Sequence, residues 1–223
     1  MGHDARLATG GLTPMVGHGR RDQVIAAALA ALAGYVDAIG FIASGGLFLS
    51  FMTGNSTRLG VGLSQHGPVA ALAAGLLGAF VAGVTLATLV GGRLGRRRQR
   101  AQLLLVAGLL GLAALAAAAG QTVPALLLAA TAMGAENCVF EAGGDVKISL
   151  TFMTGNLVKV GQRLARALDG GNRWDWLPYL ALWLAMLGGA AMGALAWTWI
   201  GLGNLGIAAG IAAALAFALR EDE

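Results

Sequence analysis

Phe51-Met52-Thr53-Gly54-Asn55 recurs in the second half of the chain as Phe152-Met153-Thr154-Gly155-Asn156. Five identical residues in a row are hard to obtain by chance, and the likeness extends outward from them. Arg58 and Lys159 each follow the asparagine by three residues, Gly60 matches Gly161, and a glycine pair precedes each string, Gly45-Gly46 and Gly143-Gly144. The chain therefore reads as a duplication of roughly 100 residues. A tail over 1–19, rich in Gly and without apolar period, precedes the first membrane repeat at 20–120, and the second occupies 121–223.

Around the two strings lie apolar runs at 22–42, 68–92, 101–120, 123–142, 176–200 and 203–219. Each is near the ~20 residues that a helix needs to cross a hydrocarbon core. The first is too long for the core of a signal peptide and has no small-residue cleavage site after it. Composition agrees: 57% of the 223 residues are apolar and 12% charged, with 36 glycines and 4 prolines, and the mean hydropathy is +0.72. An ordinary soluble domain carries about 25% charged residues. The expected fold class is all-α, a polytopic membrane protein of six spans plus two motif segments.

Charge placement sets the orientation. The sequence pI is near 10.0, but the basic residues sit mainly between apolar runs, where Lys and Arg report membrane orientation and not a nucleic-acid partner. If the motif segments at 46–65 and 147–168 dip in and return, fourteen of the fifteen basic residues fall on one side, Arg58 being the exception. If both segments cross, the Arg93 to Arg100 cluster and the Lys159 to Arg173 group separate from other cations. The re-entrant reading wins, with both termini cytoplasmic. Each copy then has three full spans, an odd number, so the halves are inverted relative to one another, as in many transporters.

Broken backbone at membrane depth is tolerated only where it is buried in protein or lines a cavity. Gly54 and Gly155 allow close backbone approach, Thr53, Thr154, Asn55 and Asn156 offer polar groups to a cap or a solute, and Arg58 and Lys159 offer charge. These eight residues are the expected solute-binding set. The competing reading makes them packing devices. Ionisable groups within spans cost ~2.5–3.5 kcal/mol on insertion scales and are functional hypotheses by default. Asp37 lies in the first span and Glu136 in the fourth, and both are expected to couple protons. The bland alternative pairs Asp37 with Arg58 and Glu136 with Lys159. Asn137 is the repeat mate of Asp37, so the halves are chemically unequal there. The glycines at 189 and 193 are expected to pack helices, and the tryptophans near the ends of the fifth span to mark an aromatic belt.

One cysteine and three histidines exclude a disulfide framework and a His/Cys metal site. His3 and His18 lie in the tail and His66 in a loop, so no intramembrane Ser-His pair is available. No enzyme, no cofactor and no metal are expected.

The segments Gly34-Tyr-Val-Asp-Ala-Ile-Gly-Phe41 and Phe51-Met-Thr-Gly-Asn55 with Arg58, then Met133-Gly134 with Asn137 and Phe152-Met-Thr-Gly-Asn156, resemble the YoaK-like family of bacterial membrane proteins. The resemblance covers nearly the whole chain beyond the tail. It implies a polytopic protein of the bacterial inner membrane in a family without assigned function. Glu136 departs from it, standing where the family leads one to expect glutamine. The expected function is a transporter or channel for a small polar solute bound near the midplane between the motifs. Arg58 and Lys159 lean toward an anion. The rival class is a non-transporting assembly or regulatory subunit. The expected partners are the lipid bilayer, a small-molecule or ion solute and a second copy of the chain, with no nucleic acid.

Overall fold

The computed structural model describes residues 20–65, 67–94, 97–139, 141–142, 145–146 and 153–219. Among them are eight α-helices: α1 (Arg20–Ser44), α2 (Met52–Gln65), α3 (Pro68–Gly92), α4 (Arg98–Ala118), α5 (Thr122–Glu136), α6 (Met153–Leu168), α7 (Leu177–Ile200) and α8 (Asn204–Ala218). Two antiparallel two-residue strands, β1 (Glu141–Ala142) and β2 (Asp145–Val146), precede α6. The tail at 1–19, Gly143-Gly144, Lys147 and Phe152 lie outside the described residues.

Four helical stretches are long and apolar enough to cross a membrane: Gln23–Ser44, Pro68–Gly92, Arg98–Ala118 and Leu177–Ala218, the last a 42-residue stretch that contains both α7 and α8. This is a helical membrane protein. The run expected over 123–142 yields a shorter helix that ends at Glu136. The next residue explains the stop: Asn137 Nδ2 donates to the Met133 carbonyl at 2.9 Å, and the following amides of Cys138 and Val139 tighten onto Ala135 and Glu136 at 3.1 Å each. A short polar side chain competing for the helix carbonyls gives the backbone an alternative to continuing.

Two helix crossings organise the bundle, α1 on α7 and α5 on α3. At both, glycine removes the side chain so that backbones touch. A Cβ on Gly34 would collide with the Met186 carbonyl and lie 3.0 Å from the Ala190 nitrogen, while one on Gly134 would collide with the Phe80 carbonyl and lie 3.1 Å from the Val84 nitrogen. In return Gly189 faces the Ala31 carbonyl and Gly83 the Thr131 carbonyl. Gly193 adds a contact on the Tyr35 carbonyl, so the pair at 189 and 193 packs as expected. Lipid tails are as apolar as leucine, so helices in a membrane gain mainly from close van der Waals contact and from polar ties. One such tie joins α1 to the α7–α8 turn: Tyr35 donates to Asn204 Oδ1 at 3.1 Å, and the Asn204 amide donates to the Ala196 and Gly201 carbonyls at 2.8 and 3.0 Å. Helix α4 closes the bundle against α5 and α8.

Both motif strings start helices, and in the first copy the break precedes the helix. Gly45 and Gly46 have φ of 73° and 120°, values that favour glycine, and they turn the chain off the end of α1. Residues 47–51 then run back beside α1, and α2 returns along them. Asn55 bonds Phe48, and a side chain on Gly46 would lie 2.7 Å from an Arg58 guanidinium nitrogen.

Candidate functional site

Asp37 is 4% exposed and anchors the reversal. Its Oδ1 accepts the Leu49 amide at 2.7 Å and the Ser50 amide at 2.6 Å, and its Oδ2 accepts the Ser50 hydroxyl at 2.6 Å. These donors lie immediately ahead of α2, where a helix start leaves amides without intrahelical acceptors. A carboxylate from a neighbouring helix meets this need as a capping side chain would, with charge-assisted bonds. The pairing of Asp37 with Arg58 is not what the chain makes. Arg58 is exposed on α2 beside Gly46.

Asn55 is fully buried and clamps one residue with both ends of its amide: Phe48 N donates to Oδ1 at 2.9 Å, and Nδ2 donates to the Phe48 carbonyl at 2.7 Å. Its Nδ2 also lies 3.7 Å from Met52 Sδ, and Asn156, also buried, places Nδ2 3.7 Å from Met153 Sδ. The same asparagine–methionine contact therefore stands at the head of both motif helices. Gly54 is required by the aromatic rings beside it, since a Cβ there would lie 2.8 Å from Phe51 and 3.0 Å from Phe48. Thr53 is exposed and Gly155 half-buried. In the second copy the cations turn to α7: Lys159 Nζ sits 5.2 Å from the Tyr179 ring centre, and Arg163 sits 5.0 Å from it while pairing with Asp175 at 3.2 Å. Glu136, fully buried at the end of α5, has no hydrogen-bond partner among the described residues.

Between α1, the reversal, α6 and α7 lies a cavity of about 610 Å³. Asp37, Ala38, Phe41 and Ile42 of α1 form one wall, and Phe48 and Phe51 of the reversal another. Met153, Thr154 and Leu157 come from the head of α6, and α7 contributes a face that includes Trp183, Leu187, Ala190 and Ala194. This volume is within the ~300–1,000 Å³ usual for small-molecule sites. Of the expected site residues, Asp37 and Thr154 line it. Thr53, Gly54, Asn55, Arg58, Gly155, Asn156, Lys159 and Glu136 are not on its wall.

Residues 25–218 match the family described as Protein of unknown function (DUF1275), which takes in all the helices but the start of the first. The chain belongs to the DUF1275 family. A protein of Rhizobium meliloti (strain 1021) described as UPF0700 transmembrane protein RA0705 is 37% identical over 175 residues, 76% of this chain and 73% of that one. No solved structure matches. The expectation of a membrane family without assigned function is borne out.

For this DUF1275 chain, reading the sequence picked out the strings that converge but missed most of the wall. Phe51 and Met153 belong to the strings themselves, but their apolar side chains carry no sign of a place on the wall. The α7 wall was also readable in principle, because Trp183, Leu187, Ala190 and Ala194 recur at i, i+4, i+7 and i+11, one side of a helix. Nothing in the spacing distinguishes a cavity-lining face from one packed on protein or lipid.

Proposed function

We propose that this protein is a non-enzymatic transporter or channel for a small solute in the bacterial inner membrane, with its binding site in the 610 Å³ cavity. The observation that carries this reading is that one cavity takes its wall from both copies of the repeated string, Phe51 from the first and Met153 and Thr154 from the second, beside the span acid Asp37. A pair of packing devices would have no need of a shared hollow. Asp37 is the only formally charged residue on the wall among the described residues, and Arg58 and Lys159 stand elsewhere. That lining favours a neutral or cationic solute over the anion that the two basic residues suggested. Proton coupling is assigned to Asp37 and to Glu136, two buried acids within apolar helices.

In this proposal α1, α3, α4, α5, α7 and α8 are six spans and α2 and α6 are re-entrant. The return of Arg58 to Gly46 supports the re-entrance of α2. The matched crossings, Gly34 on Met186 and Gly134 on Phe80, support a repeat in which each copy's first helix packs on the other copy's second span. Combined with the positive-inside rule, this puts both termini in the cytoplasm. Gly67 and Gly92, where a Cβ meets nothing within 4 Å, are suitable labelling sites. Cysteine at 67 is expected to react with an impermeant thiol reagent from outside intact cells and cysteine at 92 only from within. The reverse pattern would overturn this topology.

The transport reading is tested at Ala194, an exposed small residue on the cavity wall. The native Cys138 is buried and does not compete. Ala194→Cys is expected to be modified in membrane vesicles by a water-soluble, impermeant thiol reagent, because a solute pathway is hydrated. Modification by a lipid-soluble maleimide alone would sink the proposal and leave the assembly-subunit reading, which the local clamp of Asn55 on Phe48 also fits.

A further inference from the structure

The wall of the cavity is specific in its chemistry. Four aromatic side chains line it, Phe41, Phe48, Phe51 and Trp183, together with one carboxylate, Asp37. Three of the rings form a continuous cluster: Phe41 and Phe48 have centroids 5.0 Å apart, and Phe48 and Phe51 meet edge to face at 5.2 Å. No lysine or arginine is on the wall among the described residues. Aromatic rings present negative faces and attract cations, most strongly where water is excluded, and quaternary ammonium ligands are recognised in this way. A hydrated point charge such as a metal ion would lose its water to a wall with too few oxygen atoms to replace it. An organic cation carries little bound water and brings an apolar body that matches the remaining wall. The mouth suits such a body too, since Phe41, Ile42 and Leu187 at 39, 40 and 51% exposure form an apolar rim.

Resting on the reading of this cavity as a solute site, we propose that it binds an organic cation with an apolar body, of the quaternary ammonium or phosphonium class, held by the aromatic cluster and the Asp37 carboxylate. Asp37 keeps its backbone and Ser50 donors in this role, because a carboxylate has about four acceptor positions and its charge remains. The aromatic cluster is thereby more than packing around Gly54.

Two probes of one shape and opposite charge make the test, tetraphenylphosphonium and tetraphenylborate, measured by equilibrium dialysis on the purified full-length protein in detergent. Ala194→Trp, which fills the cavity from its rim, supplies the baseline for partition into micelles. Above that baseline the cation is expected to bind at least about tenfold more tightly than the anion, and Asp37→Asn and Trp183→Leu each to weaken it by about fivefold or more. Melting curves establish that each variant is folded, and Phe41→Leu, at a partly exposed position, serves in place of any that is not. If the anion binds as tightly as the cation and Ala194→Trp removes both, the cavity is a solute site and the cation class is wrong. Cation binding that neither Asp37→Asn nor the aromatic variants weaken overturns the class as well. If Ala194→Trp changes the binding of neither probe, the cavity is not a binding site and the functional reading falls with the inference.

Discussion

Gly34→Leu is expected to prevent assembly of the bundle, and Gly134→Leu to do so to a similar degree. Each glycine sits where a helix crosses a carbonyl, of Met186 for Gly34 and of Phe80 for Gly134, and even a methyl group there collides with backbone that no rotamer change can move. The helices must separate, giving up contacts along the whole crossing. Filling a packed site costs ~1–3 kcal/mol where side chains can yield, so a rigid backbone neighbour places these two at the upper end or beyond. Gly189→Leu belongs with them, since it faces the Ala31 carbonyl from the other side of the α1–α7 crossing. Gly60→Ala and Gly161→Ala are the controls: nothing lies within 4 Å of a Cβ at either, and both sit inside helices. There alanine is expected to hold stability or raise it by up to ~1 kcal/mol through helix propensity. Yield and melting temperature in detergent, followed by size-exclusion chromatography, read the result. A Gly34→Leu protein that elutes and melts like the parent would show that α1 does not touch α7 as described.

Asp37→Ala is expected to release the reversal between α1 and α2, whereas Asp37→Asn keeps it. Alanine leaves the Leu49 and Ser50 amides and the Ser50 hydroxyl without their acceptor in a buried site. Each unmet buried donor costs ~1–3 kcal/mol, so the loss is several kcal/mol in total and concentrated on residues 47–55. Asparagine retains an oxygen for the two amides, and its nitrogen can donate to the Ser50 hydroxyl, which accepts as well as donates. Hydrogen exchange separates the two variants: amides 49 and 50 are expected to exchange much faster in Asp37→Ala and close to the parent rate in Asp37→Asn. Under the proton-coupling proposal, folded Asp37→Asn also loses the dependence of uptake on a pH gradient. Unchanged exchange at amides 49 and 50 in Asp37→Ala would remove Asp37 from the architecture of the motif.

These outcomes would also separate two ways in which the chain is informative. Helix positions were legible because membrane helices are announced by long apolar runs bounded by charge and glycine. The run at 68–92 is α3 to the residue, and those at 22–42, 176–200 and 203–219 fall within two residues of α1, α7 and α8. The run at 123–142 overshoots, because hydropathy does not register one asparagine folding back on the Met133 carbonyl. The motif's polar residues were legible as special, but their contacts were not. Thr, Asn and Arg suggest solute contact when read alone, yet Asn55 spends its amide on Phe48, and Thr154 is the one polar string residue on the cavity wall, beside the apolar Phe51 and Met153.

The sequence by itself determined that the chain is a helical membrane protein, that it carries one string twice, and that Asp37 and Glu136 are acids within apolar segments, because composition and identity are properties of the chain read in order. Tertiary structure alone decided where those acids find or lack partners and which glycines bear the crossings. It also decided that Phe51, Met153 and Trp183 share one hollow with Asp37. The physical reason is that a hydrogen bond and a cavity wall are relations between groups on different elements, Asp37 with Leu49 across a chain reversal and Asp37 with Trp183 across two helices. Local propensity and hydropathy act over a single helix and do not reach across such a separation.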